Sequence, residues 1–215
     1  MVPVLRIGLA ANPGDRVRAI EPIGLIPHTS AMARPKGFSR EGVLEKAIPV
    51  FWKHGFADAS LKELELATGV NKSGLYAEFE SKEDLFLASL RAYLESLGRK
   101  PVLSAQPLGW GNVETFLKLG PSTVEDRKGC FAVASIRELA VLPPEADEMV
   151  TAGRAYMKRA LIKNIEAERP TMDPAAIADM VITFFTGLCI EQNLKPSKAV
   201  VNRKVESLMQ LLRGL

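Results

Sequence analysis

The sequence predicts an all-α fold, and three observations carry that reading. Residues 60–79 run as a short helix, a tight turn at Gly69-Val70-Asn71 and a second short helix. Apolar side chains elsewhere recur at three- and four-residue spacing, the repeat of one helix face. Beyond Pro101 every segment keeps that helical pattern, with prolines and glycines marking the breaks.

The chain starts with a stretch that breaks the rule. Residues 1–32 are dotted with Pro3, Gly8, Pro13, Gly14, Pro22, Gly24 and Pro27, so no helix of useful length is expected there. Arg6 and Gly8 interrupt the apolar start, and it lacks a strong basic flank, which argues against a signal peptide. The stretch is expected to be either a disordered extension or a mis-assigned start, with Met32 opening MARPKGFSREG. The first helix follows over residues 39–54, with Val43, Ala47, Val50 and Phe51 as its inner stripe. Pro49 removes one backbone hydrogen bond and predicts a slight kink, and Gly55 after His54 is a stop signal.

The unit at 60–79 is the most specific part of the chain. Ser60 and Glu63 make a capping box that starts its first helix, where Leu61, Leu64 and Thr68 share a face. Gly69 sits where a left-handed residue ends the helix, and Asn71 caps the next one. Val70, Leu75 and Phe79 form the inner anchor, with Leu75 and Phe79 four apart. Lys72, Ser73 and Tyr76 lie opposite, near the helix start, where free N–H groups and the helix dipole favour phosphates and base edges. Gly74 costs roughly 1 kcal/mol against alanine inside a helix, and its bare surface suits close approach to a partner. This is the geometry that pushes the start of a helix into the major groove of DNA. A solvated tail is expected before Ala33, while an arm near DNA would use Arg34, Lys36 and Arg40 to reach phosphates or the minor groove.

Residues 38–98, through FWKHGF, ASLKELELATGV and NKSGLYAEFESKEDLF, resemble the N-terminal DNA-binding domain of the TetR (tetracycline-repressor-like) family of bacterial transcriptional regulators. The resemblance implies three N-terminal helices around the recognition element, a linking helix, and a larger helical domain over 99–215 for ligand binding and dimerisation. It also implies DNA contacts at Ser60, Lys62, Asn71, Lys72, Ser73, Gly74, Tyr76 and Lys82, the last clamping the backbone after the motif. Two residues depart from the family pattern. Glu65 stands where a small alanine is usual and must escape the helix–helix contact, and Glu78 lies on the face away from Ser73.

The linking helix has its cap at Ser81 and Asp84 and carries Leu85, Leu90, Tyr93, Leu94 and Leu97 before Gly98 and Pro101 stop it. A short helix is expected over 112–119, then a buried one over 129–142, apolar on nearly every side. Pro143-Pro144 starts a long helix to about residue 169, with Met149, Gly153, Tyr156, Ala160 and Ile165 inward. Pro174 opens another, striped by Ile177, Val181, Phe184 and Leu188, and the last covers 198–212 with Val201, Val205, Leu208 and Leu212. In the family such a final pair forms a four-helix bundle across a two-fold axis. The resulting homodimer places two recognition helices about 34–36 Å apart, matching a palindromic operator.

Composition narrows the function classes. The chain has 215 residues, 47% of them hydrophobic, which suffices for a real core, and a net charge of only +3. So small a net charge excludes a polybasic glue and leaves specific binding, in which phosphate contacts position and base edges specify. No apolar run of roughly 18 residues suggests a membrane span, so no membrane partner is expected. Two distant cysteines and two histidines show no metal-ligand spacing, so no metal or cofactor is expected, and a reducing cytoplasm is the natural setting. No GxSxG, HExxH, glycine-rich phosphate loop or triad spacing is present, and an enzyme is not expected.

The expected activity is a sequence-specific regulator, a repressor released from its operator by a small-molecule effector in a pocket lined by Trp110, Phe116, Tyr156 and Phe184. The alternative is a thiol-switched regulator. Gly129, Cys130 and Glu138 match a GC(L/F)…N…E signature found in a subset of the family, with Ala134 in place of the asparagine. Arg127 and Lys128 before a helix start would lower the Cys130 pKa and make it reactive, whereas a buried apolar cysteine would be inert. A third reading, a helical interaction or carrier module with a decayed DNA face, rests on Glu65 and Glu78 alone.

Overall fold

A computed structural model describes residues 37–98, 102–120 and 129–215. The expectations for residues 1–32, and for Arg34, Lys36, Pro101, Arg127 and Lys128, lie outside the described residues. Among the described residues the regular elements are all helical: α1 Arg40–Asp58, α2 Leu61–Thr68, α3 Lys72–Glu78, α4 Lys82–Gly98, α5 Trp110–Leu119, α6 Phe131–Ile136, α7 Pro144–Ala167, α8 Pro174–Glu191 and α9 Lys198–Leu212.

Local chemistry accounts for most of the boundaries. The Ser39 hydroxyl accepts the Gly42 N–H at 3.0 Å and starts α1. Pro49 sits within the helix, but the non-helical backbone comes at Gly55, whose φ of 79° is left-handed. The helix proper thus stops where the glycine predicts, and only a short turn continues to Asp58. A reciprocal cap opens α4: Ser81 Oγ accepts the Asp84 N–H at 3.2 Å, and Asp84 Oδ2 accepts the Glu80 N–H at 3.1 Å.

Helix α4 lies along α1, and α6 is wedged among α1, α4, α7 and α8. Their joint core is aromatic. Phe86 on α4 meets Phe51, Phe56 and Phe131 edge-on with centroids 5.2, 5.4 and 5.6 Å away. Helix α7 pairs with α8, while α5 packs on α7 and α9. The buried stripes of α8 and α9 differ by one position each from the expected ones. Phe185 rather than Phe184 is buried on α8, and Met209 rather than Leu208 on α9.

Three expectations are corrected. The apolar stretch 129–142 is helical only from Phe131 to Ile136 and then winds into turns, with Glu138 N–H on Ser135 O at 3.0 Å and Val141 N–H on Glu138 O at 2.9 Å. Tyr156 on α7 points outward and is 59% exposed, because the buried row of that helix runs through Val150, Leu161, Asn164 and Ile165. A membrane-length apolar stretch does exist over Pro174–Leu194. Ile177, Ala178, Val181, Ile182, Phe185, Leu188 and Cys189 are buried on it, as in a core helix.

Candidate nucleic-acid interface

The α2–turn–α3 unit is built by hydrogen bonds that the chain supplies over short distances. The Glu63 N–H meets Ser60 Oγ at 3.2 Å, and the Ser60 N–H meets Glu63 Oε2 at 2.9 Å. The Ser60 hydroxyl also donates to Glu63 Oε2 at 2.7 Å, and the backbone and hydroxyl bonds onto the carboxylate hold Glu63 below its usual pKa. Thr68 donates to Leu64 O at 2.7 Å and accepts the Val70 N–H at 3.2 Å, and Gly69 turns the chain at φ 73°. Asn71 Oδ1 accepts the Gly74 N–H at 2.9 Å and the Ser73 hydroxyl at 3.0 Å.

Beneath the turn, Leu64, Val70, Leu75 and Phe79 are buried, 0–5% exposed. This anchor turns the opposite face of α3 outward: Lys72 and Ser73 are exposed, and Tyr76 is 41% exposed. Lys72 Nζ lies 5.9 Å from the Tyr76 ring centroid, so cation and aromatic stand side by side on the free face. Ser60, Lys62 and Asn71 are exposed as well and complete an open polar rim along α2 and α3.

Other predicted contacts are turned toward the protein itself. A Cβ at Gly74 would come 2.7 Å from Val70 Cγ1 and 3.4 Å from Phe38 Cε1, so the bare position serves internal packing rather than approach to a partner. Lys82 Nζ is 3.4 Å from Ala57 O and 4.7 Å above the Phe56 ring, folded over its own chain. Arg40 is also engaged: its Nη1 donates to Glu78 O at 2.7 Å and lies 3.6 Å from Glu78 Oε1, with the guanidinium 4.3 Å over the Phe79 ring. Arg40 therefore braces the end of α3, and Glu78 is held on that side.

Glu65 has a role that its place inside α2 does not reveal. Its Oε1 accepts the Lys72 N–H at the start of α3. The acid thus escapes the helix contact by reaching across the turn to the second helix. Together Glu65 and Asn71 satisfy two of the first N–H groups of α3. A carboxylate seven residues before a helix start is the signal that points to this bond, but only once the turn is drawn.

The predicted effector-lining residues do not gather in one cavity. Trp110 is 8% exposed with its backbone N–H on Glu168 Oε1 at 2.7 Å, and Phe116 stacks on Phe185 at 4.7 Å. Phe184 is half-buried. One cleft of about 360 Å³ has Tyr156 on its wall beside Leu103, Arg159 and Lys163. A second, of about 380 Å³, has Ile136, Leu139, Val150, Arg154, Thr183 and Thr186 on its walls. Trp110, Phe116 and Phe184 line neither, since the first two are spent on the packing of α5.

Cys130 caps the start of α6 and is 6% exposed, with the Tyr93 hydroxyl 3.4 Å from its sulfur. Burial pushes its pKa up, and the Tyr93 and backbone N–H bonds only partly oppose that. Burial raises the Cys189 thiol as well. The expected lowering at a helix start is outweighed by desolvation.

Comparison with known proteins agrees with this geometry. Residues 43–89 match the family model for bacterial regulatory proteins of the tetR family. The transcriptional repressor ComR of Escherichia coli is 46% identical over 67 residues, 31% of this chain and 32% of that protein. The uncharacterised regulator YezE of Bacillus subtilis is 30% identical over 121 residues, 53% of this chain and 61% of that protein. The matched segments therefore span less than two thirds of these relatives. Among solved structures, a cysteine-substituted CifR, a TetR family transcriptional regulator complexed with 26-bp operator DNA, superposes with a TM-score of 0.73 at 26% identity, covering 83% of this chain and 98% of that one. On the recognition unit, its surrounding helices and these likenesses, residues 43–89 are a helix-turn-helix segment of the tetR family of bacterial regulatory proteins, within a chain that shares the fold of TetR family regulators.

Proposed function

We propose that the chain is a sequence-specific DNA-binding transcriptional repressor. It works as a homodimer on a palindromic double-stranded operator in the cytoplasm and leaves it when a small-molecule effector binds. The observation that carries this reading is the outward row Lys72, Ser73 and Tyr76 above the buried Val70, Leu75 and Phe79. A cation, a hydroxyl and a phenol at the start of a short helix suit phosphates and base edges in a major groove. Residues 38–98 are the DNA-reading part, and 99–215 the effector and dimerisation part. Exposed Met180 and Ile190 on α8 and Leu211 on α9 support a pairing of these helices across a two-fold axis. By linkage, the effector binds the arrangement that cannot hold DNA more tightly than the one that can.

A salt titration on the promoter DNA next to the chain's own gene tests the reading. Lys72→Ala is expected to weaken binding about tenfold and to flatten the log–log salt slope by about 1, one phosphate contact. Tyr76→Phe is expected to weaken it several-fold with the slope unchanged, since only a neutral hydroxyl is removed. A wild-type chain with no preference for that DNA over random duplex would sink the proposal.

A second reading makes Cys130 a thiol switch. It draws on the Tyr93 hydroxyl at its sulfur, which ties the thiol to α4. Because burial keeps the thiol protonated, Cys130→Ser is expected to leave operator release by oxidants or electrophiles unchanged, as measured by fluorescence anisotropy of labelled DNA. Loss of such a release in the serine variant would favour the switch.

A further inference from the structure

Glu138, in the turn after α6, reaches a part of the chain 82 positions away. Its Oε2 accepts the Phe56 N–H at 2.7 Å and the Ala57 N–H at 3.0 Å. These are the first peptide groups after left-handed Gly55, and the next residues lead through Ala59 into the Ser60 cap of α2. A Cβ at Gly55 would overlap Glu138 Oε1, so the glycine both turns the chain and makes room for the carboxylate. From α4, Lys82 holds the same residues through Ala57 O at 3.4 Å and the Phe56 ring at 4.7 Å. The entry to the helix-turn-helix is thus gripped between an acid from the C-terminal half and a lysine from α4.

The other side of the 136–139 segment is a wall. Ile136 and Leu139, which bracket Glu138, line the cleft of about 380 Å³ together with Val150 and Arg154 of α7 and Thr183 and Thr186 of α8. An occupant of this cleft touches the segment that carries the carboxylate. Ile136 and Leu139 bracket Glu138, so an occupant that displaces either residue also moves the carboxylate.

We propose that Glu138 is the positioning residue that holds the helix-turn-helix in its DNA-reading pose, and that occupation of the cleft behind it is transmitted through this carboxylate. The proposal rests on the DNA-binding reading above for its functional consequence, but its mechanical part does not. Glu138 touches no DNA. It acts through the backbone of Phe56 and Ala57.

The test is a double-mutant cycle on the full chain, read by amide hydrogen exchange and by affinity for a duplex that the wild type selects from a random pool. Glu138→Ala is expected to speed exchange at Phe56 and Ala57 about tenfold while α7 and α8 amides keep their rates, because two bonds to a charged acceptor are lost. Glu138→Gln, which keeps an acceptor oxygen and the volume, is expected to fall between wild type and alanine; it also serves if the alanine variant does not fold. Thr183→Trp puts an indole into the cleft as a stand-in occupant. It is expected to raise the same two exchange rates and weaken the selected duplex about tenfold alone, with little added effect on Glu138→Ala. Unchanged exchange at Phe56 and Ala57 in Glu138→Ala, or effects of the two substitutions that simply multiply, overturns the proposal. A wild type that selects no duplex sinks the DNA-binding reading instead, and the exchange cycle still decides the role of Glu138.

Discussion

Replacing Phe86 by alanine is expected to cost about 3–5 kcal/mol of unfolding free energy, the range for deleting a large side chain from a core that cannot close over the gap. Phe86 is 1% exposed and holds three rings at once: Phe51 of α1, Phe56 beyond its glycine break, and Phe131 of α6. Those neighbours are fixed by further contacts, Phe131 lying 5.6 Å from Tyr93 and 6.2 Å from Trp52, so none is free to swing into the vacancy. Urea unfolding followed by circular dichroism would measure the loss as a lower midpoint with an unchanged slope. A cost under about 1 kcal/mol would mean that the site collapses, contrary to the packing described. DNA affinity should fall too, since the same cluster supports Phe56 at the entry to α2.

Asn164→Leu is expected to be nearly as damaging, at about 2–4 kcal/mol, although volume is kept and an amide gives way to an apolar group. The side chain is 0% exposed and uses both ends. Its Oδ1 accepts the Gly109 N–H at 3.1 Å and the Asn112 amide at 2.8 Å, and its Nδ2 donates to Leu103 O at 2.7 Å and Ala160 O at 2.8 Å. Leucine would strand the Gly109 N–H and the Leu103 carbonyl, whereas Asn112 keeps Ala105 O at 2.7 Å. The damage should therefore be local first. Limited proteolysis should open the 102–112 segment before the chain unfolds, and equal cutting in wild type and variant would contradict the role given to Asn164. Glu168 reinforces the same corner through the Trp110 N–H, so the double loss should exceed either single one.

Helix starts were readable because each is decided within three or four residues. Ser39, Ser60, Asn71 and Ser81 each accept a backbone N–H from the turn that they begin, where the sequence placed them or within a residue of it. The recognition unit was legible for the same reason, down to its buried anchor and its outward lysine, serine and tyrosine. Less was legible where the partner is distant. The apolar run 129–142 reads as one helix because composition reports burial, not curvature, and the turns after Ile136 leave no mark in it. Helical spacing alone points Tyr156 inward. A shift of one position around α7 moved the buried row to Val150 and Leu161.

The linear order of residues determined that this protein is a string of capped helices carrying a helix-turn-helix, because caps, left-handed glycines and apolar repeats act over single turns. Only the tertiary structure decided which acids work: Glu65 on the first amide of α3, Glu138 on residues 56 and 57, and Glu78 under Arg40. A carboxylate reads the same in any exposed helix. What it does depends on which unpaired N–H or cation the fold carries into its reach, and that is set by the packing of the whole chain rather than by its neighbours in sequence.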